Sequence, residues 1–302
     1  MRISRRLVIL CAVIAWCAGC GRDAPPAVGP RYADAPAIDT PPLLRFAIHP
    51  LHNPAKLYAV YQPLVDDLNR ELGGRVRIQL EASLDYGAFE RKYRAREPAL
   101  LLPNPWQTLD AAAAGYRVVG VTGEDADFRG LILVRRDGGI TEPGQLRGRI
   151  VSYPAPTALA ACVMPQYFLH RHGVALGEVT NRYVGSQESS IMNVVLGVAA
   201  AGATWPPPWR EFQREHPREA ALLAIAWETE PLVGKSMMVR DDVPAEIAEA
   251  VVARLLALDG MQLPAAGETF RFRRAGIAEY ARVRDFVATF EREVRPVARS
   301  EP

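Results

Sequence analysis

Residues 43–80 read LLRFAIHPLHNPAKLYAVYQPLVDDLNRELGGRVRIQL, and the hydrophobic period changes twice along them. Residues 43–48 form a short, mostly apolar run of strand length. Asn53-Pro54 supplies a helix N-cap followed by a first-turn proline. Leu57, Tyr61, Leu64, Val65, Leu68 and Leu72 then recur at helical spacing until Gly73-Gly74 stops the helix. Val76, Ile78 and Leu80 alternate as a second strand. The unit is strand, helix, strand.

The alternation continues outward. Tyr86, Phe89 and Tyr93 mark a helix, 99–102 a buried strand, 106–114 a helix ending at Gly115, and 118–121 and 131–134 further strands. A second block opens near Asp137-Gly138-Gly139, with a strand at 150–153 and a helix from Pro156-Thr157 to His172-Gly173. A helix at 191–198 is entered through Ser186-Gln187-Glu188, and a strand at 200–205 is broken by Pro206-Pro207-Pro208. Strands at 222–227 and 236–239 precede two helices, 244–258 with Asp242 as its expected cap, and 277–294. Repeated alternation of this kind predicts α/β domains with mostly parallel sheets. A chain of 302 residues has room for two of them.

The first nineteen residues read differently. Arg2, Arg5 and Arg6 form a basic region, and residues 7–16 an apolar run too short to span a bilayer. Residues 1–19 are expected to be a signal peptide. Its ending, Cys17-Ala18-Gly19-Cys20, resembles the lipobox of bacterial lipoproteins, although Cys17 stands where leucine is usual. That resemblance implies a lipid on Cys20, and an exported, periplasmic protein anchored to a membrane. Residues 20–42, with Pro25-Pro26, Gly29-Pro30 and Pro41-Pro42, read as a Pro/Ala linker. Of four cysteines only Cys162 lies in the body of the chain, in an apolar run, so a buried inert thiol is expected there.

Charge excludes other classes. Lys and Arg total 36 against 34 Asp and Glu, and setting aside the three arginines of the leader leaves 33 against 34. A near-neutral body does not suit a nucleic-acid partner. At 49% hydrophobic and 23% charged residues, the chain is neither disordered nor a polytopic membrane protein.

Several segments, in order, resemble the PhnD-like family of phosphate, phosphite and phosphonate-binding receptors of ABC transporters. They are Tyr61-Gln62-Pro63-Leu64-Val65-Asp66 with Glu71-Leu72-Gly73, Asp85-Tyr86, Asn104-Pro105, residues 130–134, and Leu146-Arg147-Gly148. Met164-Pro165-Gln166-Tyr167, Gly185-Ser186-Gln187-Glu188, Met238-Val239-Arg240-Asp241 and Val243-Pro244-Ala245-Glu246 continue the series. The resemblance implies a type II periplasmic-binding fold, in which two α/β lobes joined by two hinge strands close on a ligand. Lobe 1 is then expected at 43–136 plus 236–302, and lobe 2 at 137–235. It further implies a monomer that takes a small ligand, an oxyanion, without a cofactor or a structural metal, and hands it to an ABC permease.

Carried over residue by residue, Tyr86 matches a ligand-contacting tyrosine. Phe128 falls where tyrosine is usual, so its hydroxyl is missing. Ala158-Leu159-Ala160 replaces a run of Ser and Thr, leaving Thr157 as the neighbouring hydroxyl. Ser186 opens the next helix, Gln187 stands where histidine is common and Glu188 where an acid is common. Asn104 is part of the matched turn. Three further features come from placement alone. His49 and His52 follow the first strand, and either a site on the cleft or loop histidines facing solvent accounts for them. Trp106 and Trp205 sit at strand-to-helix junctions, as a wall of the cleft or as core anchors. Arg129 is either a partner for an anion or a solvated surface group.

Two other functions remain at this point. An accessory lipoprotein of the same fold, signalling to a sensory partner in the membrane, would suit the lost hydroxyls. An enzyme is not expected: no Gly-x-Ser-x-Gly, His-Glu-x-x-His or Gly-rich phosphate loop is present, so no catalytic residue is assigned.

Overall fold

The computed structural model describes residues 41–266 and 268–297. The expected signal peptide, Cys20 and all but the last two residues of the linker lie outside them. The described chain is built on two sheets. β1 (Leu43–Ile48), β2 (Arg77–Glu81), β3 (Leu100–Leu102) and β4 (Tyr116–Thr122) are joined by α1 (Pro54–Leu72), α2 (Tyr86–Arg94) and α3 (Pro105–Ala113). After a crossing, β5 (Leu131–Arg135), β6 (Ile150–Tyr153), α4 (Met164–Arg171), β7 (Thr180–Tyr183), α5 (Gln187–Val195) and β8 (Ala201–Thr204) follow. Next come α6 (Pro206–Glu215), α7 (Pro217–Ala221) and β9 (Leu223–Glu228). The chain then returns through β10 (Lys235–Arg240), α8 (Ala245–Ala257), β11 (Gln262–Leu263), β12 (Glu268–Thr269), β13 (Phe272–Arg274) and α9 (Ala281–Glu293).

The larger sheet has the order β13-β4-β10-β3-β1-β2, the smaller β7-β6-β8-β5-β9, and β11 pairs with β12 as a separate hairpin. In the larger sheet β1 runs parallel to β2 and β3, whereas β10 is antiparallel to β3 and β4. The chain passes between sheets at 123–130 and again at 229–234, and these two segments bond to each other. The Thr229 amide donates to Gly130 O (2.9 Å) and the Leu232 amide to Phe128 O (3.0 Å). They are the two hinge segments, irregular in conformation where strands are expected from the sequence. The expected lobe boundary after residue 136 falls one strand late, because β5 pairs with β8 and β9 of the smaller sheet.

Local chemistry explains most element ends. The Asn53 side chain accepts from Lys56 N, and Gly73 ends α1 at φ 56°, where a Cβ would be strained. Other ends differ from expectation. Asp242 does not cap α8. It accepts from Arg240 Nε at 2.6 Å, and Pro244 occupies the N-cap position. The helix expected from Pro156 begins as a π turn over Leu159–Val163, in which Val163 N donates to Ala158 O, and becomes α-helical at Met164. Pro206-Pro207-Pro208 does not merely end a strand. It forms the first turn of α6, where three prolines lose no intrahelical bond because those amides have no partner anyway.

Candidate functional site: a cleft with one buried lysine

Nearly every residue singled out from sequence lies where a strand hands over to a helix, at the edge shared by the two sheets. His49 follows β1 and is 2% exposed. Tyr86 opens α2 behind its cap Asp85, whose carboxylate accepts from Ala88 N at 2.7 Å. Asn104 caps α3, with Oδ1 accepting from Gln107 N (3.0 Å) and Nδ2 donating to Thr157 O (3.2 Å). Thr157 and Ala158 are both buried beside the π turn. Gln187 opens α5 behind Ser186, whose Oγ accepts from Ser189 N. Trp205 follows β8 and opens α6.

The two sheets meet through these side chains. Gln187 Nε2 donates to Tyr86 OH (3.3 Å) and its Oε1 accepts from Thr204 Oγ1 (3.0 Å), so both ends of the amide are engaged within the protein. The Phe128 and Trp205 rings lie 5.6 Å apart, and His49 meets Tyr86 edge-on at 6.2 Å. Burial raises the pKa of the Tyr86 phenol, keeping it a neutral donor.

Three candidates stand apart. Glu188 is exposed and faces His216 (3.4 Å). Trp106 is buried between α3 and α9, beside Leu109, Arg284 and Val287. Arg129 donates to Glu228 (2.6 Å) and to Ala126 O, which resolves it as a structural hinge contact. The two histidines also separate: His52 Nδ1 lies 2.9 Å from Glu211 of α6, while His49 turns inward to Leu102 O. Cys162 is fully buried, and burial pushes its thiol up to about 12.

The residue that sequence reasoning missed is Lys235. It begins β10 and is 9% exposed. Its ammonium sits 5.6 Å over the Trp205 ring and 3.5 Å from Tyr61 OH. Among the described residues it makes no ion pair. It borders a cavity of about 300 Å³ with Phe128, Trp205, Pro207 and the hinge residues Gly123 and Gly234. The charges at that cavity's rim are matched: Arg210 with Asp127 (2.8 Å) and Glu268 (3.4 Å), and Arg271 with Glu124 (3.0 Å). Lys235 is the buried positive charge left over. An ammonium held over one aromatic face and beside a hydroxyl, with no carboxylate, has a favourable place for an anion.

α6 clasps the larger-sheet lobe on both sides. Glu211 meets His52 and Lys56, and Glu215 also meets Lys56. On its other side Arg214 donates to Ala266 O (2.7 Å) and Arg210 reaches Glu268. The first group is largely buried, with side-chain exposures of 6% for His52 and 12% for Glu211.

The description "ABC transporter, phosphonate, periplasmic substrate-binding protein" matches residues 46–285. No curated protein sequence matches. Among solved structures, PhnD1 of Prochlorococcus marinus in complex with methylphosphonate superposes with a TM-score of 0.74 at 17% identity, covering 82% of this chain and 98% of that one. A binding-protein component of an ABC phosphonate transporter from Pseudomonas aeruginosa gives 0.73 at 14% identity, over 84% and 88%. The aliphatic sulphonate binding protein SsuA of Escherichia coli gives 0.56 at 13% identity, over 83% and 87%. These likenesses establish the two-lobe type II periplasmic-binding fold. With four fifths of its length matched to one family, the chain belongs to the periplasmic substrate-binding proteins of phosphonate ABC transporters.

Proposed function

We propose that this protein captures a small phosphorus oxyanion between two lobes divided at 123–130 and 229–234, and delivers it to an ABC permease as a lipid-anchored monomer. One observation carries the ligand class: Lys235 is a buried cation that no carboxylate pairs with among the described residues, set between Tyr61 and Trp205 at the cleft. The site residues are Lys235, His49, Tyr61, Tyr86, Phe128 and Trp205, with Asn104, Thr157, Ala158, Ser186 and Gln187 shaping the helix ends around them. The relatives named above support the class, since one is bound to methylphosphonate.

The chemistry is capture and release. The ligand's charge is met by an ammonium already desolvated, so little reorganisation accompanies binding. Hinge closure then excludes water and strengthens that attraction. A thermal-shift series with phosphate, phosphite, methylphosphonate, aminoethylphosphonate and sulfate tests the reading. A ligand at a hundred times its Kd adds about 2.7 kcal/mol, which for a chain of this size raises Tm by several degrees. We expect that rise with phosphorus oxyanions, and its absence with all of them would refute the oxyanion assignment.

The anchor is supported by Ala18-Gly19-Cys20 after a basic and apolar leader. Cys20→Ala is expected to move the exported protein from the membrane fraction to the soluble one, and continued membrane retention would rule the anchor out.

A further inference from the structure

The fold dictates the tautomer of His49. Its backbone amide donates to Leu102 O at 3.1 Å, and its ring Nδ1 lies 3.0 Å from the same carbonyl. A carbonyl only accepts, so Nδ1 carries the proton and Nε2 of the neutral ring keeps a bare lone pair. Nε2 makes no hydrogen bond among the described residues.

Three ways of turning Nε2 into a donor are closed. Moving the proton from Nδ1 would set a lone pair against Leu102 O. Adding a second proton is opposed first by burial and then by Lys235, which together hold the ring's pKa near about 3. Swinging the ring away is hindered by its 2% exposure and by the edge contact with Tyr86. The cleft therefore holds a fixed cation and, across β3, a fixed acceptor. β10 and β1 flank β3, so Lys235 and His49 start from backbones roughly 10 Å apart, and the Lys235 charge acts on the His49 ring.

We propose that Lys235 and His49 together read the protonation state of the bound oxyanion: Lys235 supplies the charge, and His49 Nε2 accepts a proton from an acidic hydroxyl of the ligand. The site thereby selects a phosphonate or phosphate monoanion, which keeps one P–OH, over a sulfonate or sulfate, which has none. This rests on the oxyanion reading of the cleft given above. Phosphorus oxyacids of this kind lose their second proton near neutral pH, at about 6 for phosphate monoesters, so the monoanion is available. A sulfonate would have to present an oxygen lone pair to the Nε2 lone pair, leaving both unsatisfied inside a buried site.

The test is calorimetric titration of the purified protein with methylphosphonate and methanesulfonate, two anions of similar shape. We expect methylphosphonate to bind roughly tenfold to a hundredfold more tightly, the range for one hydrogen bond involving a charged group. In His49→Gln, whose amide can offer either a donor or an acceptor, the preference should shrink to within about threefold by the same hydrogen-bond reasoning. Lys235→Met should weaken both anions alike and leave the ratio unchanged. Wild-type protein binding the two anions equally overturns the proposal while sparing the oxyanion reading, as does a full preference retained in His49→Gln. If neither anion binds the wild type, the oxyanion reading itself fails and takes this proposal with it.

Discussion

Lys235→Met will raise the Tm of the ligand-free protein and weaken oxyanion binding by about two orders of magnitude. The two effects share one cause. Lys235 is 9% exposed, its ammonium touches Tyr61 OH and the Trp205 face, and among the described residues no carboxylate pairs with it. A desolvated charge in that position destabilises the empty protein, since cation–π attraction returns only about 0.5–2 kcal/mol of a penalty of several kcal/mol. Methionine keeps the length and apolar bulk of the chain and removes the charge. An anion, in contrast, loses its main electrostatic partner, and truncating one member of a buried charge pair typically costs about 2–5 kcal/mol in binding. Calorimetry and thermal denaturation of the same variant read both signs. Unchanged affinity would mean that helix N-termini hold the anion by themselves. A lower Tm in the empty protein would mean that Tyr61 and Trp205 satisfy the ammonium well enough to make it structural.

The difficulty of finding Lys235 from sequence has a physical origin. Helix N-termini gather where parallel strands end, and the sequence points to ligand-binding residues there. His49, Tyr86, Asn104, Gln187 and Trp205 all obey that rule. β10 runs the other way, so its first residue, not its last, reaches the cleft, and Lys235 pairs with Thr122 at the end of β4. Strand direction depends on pairing across more than a hundred residues, and no local pattern carries it. α6 was hidden for a related reason. Three consecutive prolines look like a break, and only the surrounding contacts reveal that they open a helix. Elements whose ends are set by adjacent residues were legible: Asn53 and Gly73 bound α1 where the sequence places them. Asp242 misled because a nearby arginine, Arg240, competes for its carboxylate. The departures from the family's usual anion-binding residues were also visible in sequence, but the buried lysine on another strand was not.

Removing the carboxylates of α6 in Glu211→Gln/Glu215→Gln is expected to weaken ligand binding by about thirtyfold, or roughly 2 kcal/mol. The figure is set below the 3–5 kcal/mol typical of a broken buried pair because Glu215 is half exposed and screened by solvent. Lys56 would be left facing α6 without a counter-charge and His52 without the carboxylate it bonds, so the arrangement that brings the lobes together would lose stability relative to an open one. A ligand that requires closure then binds with an affinity reduced by the fraction of closed protein. Small-angle scattering on the empty variant should give a larger radius of gyration than wild type, and unchanged scattering with unchanged affinity would show that these contacts do not hold the lobes. Acid should imitate the substitution. Burial pushes the Glu211 carboxyl up, but the His52 hydrogen bond and Lys56 outweigh it, and its pKa lies below the ordinary 4.5. A depressed carboxyl contributes its full stabilisation above 4.5 and loses it as pH falls through the lower folded value. The Lys56 side works in the opposite direction. Burial lowers its pKa, Glu211 and Glu215 more than restore it, and with a pKa above 10.5 its contribution is complete below that value and lost only in stronger base. Wild-type affinity should therefore fall in acid below about pH 4.5 through this cluster. The double variant, already without those carboxylates, should lack that part of the acid response.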